Sequence, residues 1–366
     1  MLCKKGEIHM KKRWIAGLLT LTMILGLTAC GQKKEETPAE TQTETTTETE
    51  SETVKETETP LEEGKMYSYM TGEVVDTQIG TQRPYAIMIN NIGEALPQSG
   101  ISQAEAVYEC LVEHGITRLM CEFQNIENLS KVGSIRSARH YYMDLAEDNE
   151  AIFTHFGQSI FAKARIDEGY PTISGLSGYS GDVFYRTDDR EAPHNVFSSR
   201  DGLLAGLSAT GLTRDYPEGY KGRLNFYHED TVPEKGDAAN KVSMPFPDCS
   251  PWFEYNTEDK LYYRYQYGEP HIDAENNEQL KFKNLIIQYA QRSVISNEDH
   301  QDYTLIGSGK GLFITDGKVN PITWKRESAA DRTTYFYEDG TPVYLNTGKS
   351  YFAVVPSELS VACEAE

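Results

Sequence analysis

The chain of 366 residues lacks the short motifs by which many enzymes are recognised. It has no Gly-x-Ser-x-Gly, no His-Glu-x-x-His, no P-loop and no Gly-x-Gly-x-x-Gly. The usual sequence signs of serine hydrolases, zinc peptidases, P-loop nucleotidases and dinucleotide-binding oxidoreductases are therefore missing. Cysteine is scarce, with six residues and no Cys-x-x-Cys or Cys/His ligand spacing. A zinc site is not expected, nor any other metal or cofactor. Basic residues are in deficit: 35 Lys and Arg stand against 56 Asp and Glu, a net charge of −21. Such a chain repels nucleic acid and offers no polybasic patch to a membrane. No apolar run reaches the ~20 residues needed to span a bilayer.

One shorter apolar run is present, from Trp14 to Leu27. Lys11, Lys12 and Arg13 precede it, and Leu27-Thr28-Ala29-Cys30 closes it. A basic start, a short apolar segment and small residues at the cut describe a secretory signal. Ending on Leu-x-Ala-Cys makes it a bacterial lipoprotein signal, with residues 1–29 removed and Cys30 acylated, palmitate being among the expected chains. Met1–His9 has no place in such a signal, so Met10 is the expected start. Removal of Met1–Ala29 takes away five basic residues and one acidic one, leaving the mature chain at −25. The expected location is the extracytoplasmic face of the cell membrane, held there by the lipid.

Residues 30–64 follow as a tether. From Gly31 to Gly64 the chain holds eleven Glu, ten Thr, three Lys and no aromatic residue. It cannot bury enough apolar surface to offset its ordering entropy, and like charges keep it extended. The remaining ~300 residues exceed what one core usually serves, so two domains are expected, at 65–221 and 222–366. The fold class is α+β. The first domain is of α/β type, a mixed sheet with flanking helices, and the second is smaller and β-rich. Strands are expected at Tyr85–Asn90, Ala104–Val112, Thr117–Phe123, Ala151–Phe156 and Asn284–Ala290, and helices at Ser137–Asn149, Phe161–Glu168 and Gly202–Thr210. Asp316-Gly317 and Glu338-Asp339-Gly340 lie between alternating runs and mark hairpins. Cys110 and Cys121 fall on adjacent expected strands and either pair or stay as buried thiols.

The residues able to carry chemistry are mostly arginines. Between Arg83 and Arg200 there are eight Arg and two Lys. Arg presents a planar fork that grips carboxylate or phosphate in two places. Gly133-Ser134-Ile135-Arg136-Ser137-Ala138-Arg139 is the densest case, set at a strand-to-helix junction. Ser134 or Ser137 would cap the helix, whose free amides favour an anion. Arg136 and Arg139 would then lie on neighbouring helical positions. The segment is either an anion site or a set of ion pairs to the many local carboxylates. A second cluster runs from Phe184-Tyr185-Arg186 to Arg190-Glu191-Ala192-Pro193-His194-Asn195. His155, on an apolar strand, is either a satisfied core residue or, with His194, an acid–base pair. The anion-binding candidates are Arg118, Arg136, Arg139, Arg190 and Asn195. The catalytic candidates are His155 and His194.

An ordered series of motifs carries a resemblance. Arg83-Pro84-Tyr85-Ala86-Ile87-Met88-Ile89-Asn90-Asn91 is followed by Pro97-Gln98-Ser99-Gly100-Ile101, then Ala104-Glu105-Ala106-Val107-Tyr108-Glu109. Gly115-Ile116-Thr117-Arg118, Ile135-Arg136-Ser137-Ala138-Arg139 and Ala192-Pro193-His194-Asn195 complete it. The chain resembles the YerB-like lipoproteins from about Arg83 to Pro356, including Gly307-Ser308-Gly309-Lys310-Gly311 and Ile322-Thr323-Trp324-Lys325. One departure is Glu105-Ala106, where that family usually has Asp and then Ile or Val. The resemblance implies two domains and a lipid anchor, and no established reaction. Ser134-Ile135-Arg136-Ser137, behind a hairpin and before a helix, is also similar to a motif of LytR-type glycopolymer transferases, which hold a polyprenyl pyrophosphate with arginines. The Pro and the following Asp of that motif are absent here. Two functions are thus open. One is an envelope lipoprotein that binds a partner such as a wall-synthesis protein. The other is an Arg/His-lined site for a phosphate, pyrophosphate or carboxylate of a wall precursor, with transferase-like or hydrolase activity by analogy.

Overall fold

Residues 61–365 are described by the computed structural model. The signal segment, Met10, Cys30 and all but the last few tether residues lie outside the described residues.

Tyr85–Asn90, Ala106–Leu111, Thr117–Phe123 and Ser350–Pro356 are strands in which every residue is buried. A strand covered on both faces reads as a continuous apolar run, not as an alternation. These four lie in an 11-stranded mixed sheet. Its order is Asp237–Ala238, Lys318–Arg326, Gly307–Thr315, Asn284–Ala290, Ser350–Pro356, Ala106–Leu111, Thr117–Phe123, Tyr85–Asn90, Ile152–His155 and Ile173–Ser174, with Thr334–Tyr337 added on Lys318–Arg326. The architecture is α+β, as the sequence predicts. Ser350–Pro356 runs parallel to Asn284–Ala290 on one side and to Ala106–Leu111 on the other.

The period of two along each strand divides the core between the faces. Ile87, Ile89, Val107, Leu119, Cys121, Leu285 and Tyr351 form one layer with Val242, Phe253, Tyr262 and Phe282 of a six-stranded sheet. The rings of Phe253 and Tyr351 join the two sheets with centroids 4.8 Å apart. Met88, Tyr108, Cys110, Met120 and Phe352 form the other layer, with Tyr141, Tyr142 and Leu145 of the helix His140–Glu147. Each such side chain contributes about 1.5–3 kcal/mol by burial. The Asp316-Gly317 hairpin forms as expected, both residues having positive φ of 47° and 73°, which is what a two-residue turn between twisted strands requires. No helix among the described residues is long and apolar enough to cross a membrane.

One open alternative is resolved and one expectation needs correction. Cys110 and Cys121 are free thiols. Cys110 lies opposite Arg118 and Cys121 opposite Val107, and they point into different layers, so no bridge can form between them. The helix expected from Ser137 begins at His140, with Arg139 as its extended N-cap (φ −124°, ψ 142°) and no side-chain cap. Residues 134–136 instead bond to other strands: Asn90 N–H to Ser134 O at 2.8 Å, Ile135 N–H to Val196 O at 2.7 Å and Arg136 N–H to Met88 O at 2.9 Å. Arg136 and Arg139 are therefore not neighbours on a helix.

Candidate functional site

The extended segment 133–139 places its arginines beside the end of the Tyr85–Asn90 strand. Gly133 enters at φ +151°, and a Cβ there would lie 2.7 Å from both the Phe197 ring and Val196 O. Only glycine allows that close passage. The segment then lies between two neighbours, because Arg136 O accepts from Phe156 N–H at 3.1 Å and Ala138 N–H bonds to Gly157 O at 2.9 Å.

Arg118 is the deepest cation of this group. It stands opposite Asn90 in the sheet and is 3% exposed. Its Nη1 donates to Ser137 O at 3.0 Å, while its Nε is buried without a partner. Burial, then the charges of Arg139 and Arg136, press its pKa down to about 9, against a smaller pull from Glu113. It stays cationic at neutral pH. Arg139 is neutralised: Nε and Nη2 grip Glu113 at 2.6 and 2.5 Å. Burial works against the Glu113 carboxylate, yet these bonds and the Arg139 charge hold its pKa below the usual range.

Arg136 is half-buried and forms no side-chain hydrogen bond or salt bridge among the described residues. Its Nε is buried and unpartnered. Burial, Arg139 and Arg186 all lower its pKa, and Glu113 offsets them only in part. Carrying this charge costs the fold stability, because each lowering cause penalises the charged form.

The rim comes from the 184–198 loop. Exposed Arg186 donates Nη1 to Asn195 Oδ1 at 2.6 Å, and Asn195 donates Nδ2 to Thr187 O at 2.9 Å. Asn195 thus orients Arg186, with both ends of its amide occupied. Arg190 anchors the loop, its Nη1 on Ala95 O at 2.7 Å and its Nη2 on Asp189 at 3.2 Å. Asn90 Nδ2 meets His194 Nδ1 at 2.8 Å. Burial first, then Arg136 and Arg190, lower the His194 pKa, with Glu94 opposing. His155 does not join this group through a hydrogen bond. Its Nδ1 meets Gly157 O at 2.6 Å, its Nε2 is buried and unpartnered, and burial pushes its pKa down to about 4.

The structure thus brings together Arg118, Arg136, Arg139 and His194. It adds Arg186 at the rim and gives Arg190 and Asn195 supporting places. None of them pairs with Glu105, Glu109 or Glu122, the carboxylates of the adjoining strands. Glu105 accepts backbone N–H groups of Gln124 and Asn125, and Glu122 accepts from Asn149.

Sequence reasoning missed a second polar centre behind the first. Glu109 and Arg264 are an ion pair at 2.7 Å with both side chains fully buried. Glu109 also accepts from Asn91 at 3.1 Å, Thr117 at 2.6 Å and Tyr351 at 2.6 Å. Arg264 Nη1 donates to His271 Nδ1, and His271 Nε2 to Gln98 Oε1 at 2.7 Å. Gln98 Nε2 donates in turn to Asn90 O at 3.0 Å. Burial and the Arg264 charge hold His271 neutral. The signal in the sequence was a single charge inside each of two strands otherwise without charge, Ala106–Leu111 and Leu261–Gln266.

Residues 70–213 match the N-terminal domain, and residues 242–352 the C-terminal domain, of a family described as protein of unknown function (DUF3048). The chain is 29% identical over 294 residues to "Putative lipoprotein YerB" of Bacillus subtilis (strain 168), covering 80% of this chain and 87% of that protein. The crystal structure of the Bacillus subtilis YerB protein superposes with a TM-score of 0.71 at 27% identity, covering 81% of this chain and all of that one.

Proposed function

The chain belongs to this two-domain, YerB-like family, and we propose that it is a lipid-anchored protein of the outer membrane face that binds an anionic envelope ligand. The lipoprotein signal ending at Cys30 and the description of the Bacillus relative support the anchor. The acidic tether would hold the folded part away from the bilayer. The ligand is a phosphate, pyrophosphate or carboxylate group of a wall precursor or wall-synthesis partner. One observation carries this reading: Arg118, Arg136 and Arg186 lie close enough to act on one another's charge, without a hydrogen-bonded carboxylate among the described residues, in a chain of net charge −21. Arg139, Arg190 and Arg264 by contrast each pair with a carboxylate, and Arg214 and Arg223, which do not, are satisfied by carbonyls and neutral side chains.

Binding is favoured over turnover. The two histidines do not meet: His194 bonds to Asn90, and His155 is turned to Gly157 inside the core. The test is calorimetric titration of pyrophosphate into the full-length protein and into Arg136→Ala. The wild type should bind, and the variant should bind at least about tenfold more weakly, the loss of about 1.4 kcal/mol expected for one charge-assisted contact. Equal affinity would remove the arginines from the account.

A further inference from the structure

We infer that this site selects a terminal phosphoryl group carrying two negative charges, over phosphodiesters and carboxylates, and that Asn90 fixes His194 as a neutral Nε2–H donor to it. The inference rests on the anion-site reading and deepens it.

The first argument is charge. Arg118, Arg136, Arg139, Arg186 and Arg190 contribute five positive charges. Among the described residues Glu113 pairs with Arg139 and Asp189 with Arg190, and Glu94 is the carboxylate that acts on His194. The surplus is two. A phosphodiester or a carboxylate brings one negative charge and leaves the other cation unmatched in a half-buried place. A phosphomonoester or the terminal group of a diphosphate brings two above its second ionisation, near pH 6. The free donors suit it as well. The Nε atoms of Arg118 and Arg136 are buried and unpartnered, so contact with phosphoryl oxygens falls to the Nη groups of half-buried Arg136 and exposed Arg186.

The second argument is the tautomer of His194. An amide Nδ2 can only donate. Asn90 Nδ2 lies 2.8 Å from His194 Nδ1, so Nδ1 is the acceptor and the proton sits on Nε2. The reverse orientation of the Asn90 amide would ask for a proton on Nδ1. Protonation of both nitrogens is opposed by what faces the ring. Arg136 on the 133–139 segment and Arg190 on its own loop disfavour a third positive charge, and Glu94 on the neighbouring turn opposes them only in part. The backbone of Asn90 is itself held, with Gln98 donating to its carbonyl and its N–H bonding to Ser134. His194 therefore adds a hydrogen bond without adding charge, and the surplus stays at two. Beside a membrane rich in phosphodiester headgroups, this distinction keeps the site from being filled by bulk lipid.

The experiment is calorimetric titration of the full-length protein with phenyl phosphate, dimethyl phosphate and acetate between pH 5.5 and 8. Phenyl phosphate should bind at least about tenfold more tightly than the other two at pH 7.5. Its affinity should rise by about threefold from pH 5.5 to 7.5, as the dianion fraction goes from about a quarter to nearly one, and then level off. His194→Gln, which keeps a neutral donor, should retain that affinity and profile, and His194→Phe should lose most of the affinity. Vesicles carrying phosphatidic acid, compared with phenyl phosphate, separate a lipid source of the group from a soluble one; tighter binding of either is in accord. Dimethyl phosphate binding as well as phenyl phosphate, or affinity falling as pH rises, would overturn this inference and leave the anion site standing. If none of the three binds, the anion site falls with it.

Discussion

Removing one member of the Glu109–Arg264 pair should destabilise the protein far more than removing both. Each side chain is fully enclosed, so neither can recover water when its partner is lost. In Arg264→Met the Glu109 carboxylate keeps three neutral donors, Asn91, Thr117 and Tyr351, but no countercharge. In Glu109→Gln the Arg264 guanidinium keeps Gln266 and His271, again with no countercharge. Breaking a buried pair in this way costs about 3–5 kcal/mol. The double variant leaves neither charge of the pair behind, and its loss should fall well below the sum, giving a coupling of at least about 2 kcal/mol. Tyr351→Phe, which removes one hydrogen bond to the carboxylate, should cost about 1.5–3 kcal/mol. Urea denaturation followed by far-UV circular dichroism measures all four. Single losses below about 1 kcal/mol that simply add in the double variant would refute the reasoning, since they would mean water reaches the pair.

The remaining predictions concern pH, anchoring and the close passage at Gly133. Glu122 is fully buried, and desolvation raises its pKa to about 8, with Asn149 and Arg223 opposing. A carboxyl raised in the folded state contributes fully below its unfolded value of about 4.5, and that contribution is lost as pH rises through about 8. Glu122→Gln should therefore gain stability over the wild type progressively from pH 4.5 to 8, by at most about 5 kcal/mol; parallel denaturation midpoints across that range would contradict it. Cys30→Ala should abolish palmitate labelling and move the protein from the membrane to the soluble fraction, and unchanged fractionation would remove the anchor. Gly133→Ala, whose Cβ would meet Val196 O at 2.7 Å, should cost about 1–3 kcal/mol and weaken pyrophosphate binding, read by thermal shift and titration.

Local pattern made much of the fold legible. The Asn284–Ala290 and Thr117–Phe123 strands fall where their apolar runs predict, and Asp316-Gly317 turns where its residue types demand. The start of the helix was not legible, because the donors of Ile135 and Arg136 are taken by Val196 and Met88, residues far along the chain. The same distance hid the centre of the molecule. Glu109 and Arg264 are 155 residues apart, and no periodicity links them. The arginine bias singled out a segment whose geometry sequence could not supply: Arg136 is drawn in by a strand ladder and not by a helix. By sequence Asn195 reads as a ligand contact, whereas its amide is spent on Arg186 and Thr187.

The central claim is that Arg136 is kept for a ligand at the expense of the fold. Thermal denaturation of Arg136→Met, with and without pyrophosphate, tests it most directly. Loss of an unneutralised, half-buried charge should raise the midpoint by about 1–3 °C without ligand, the response of a domain this size to about 1 kcal/mol. It should also abolish the stabilisation that pyrophosphate gives the wild type. A lower midpoint together with an undiminished pyrophosphate shift would mean that Arg136 supports the structure and that the anion, if bound, sits elsewhere.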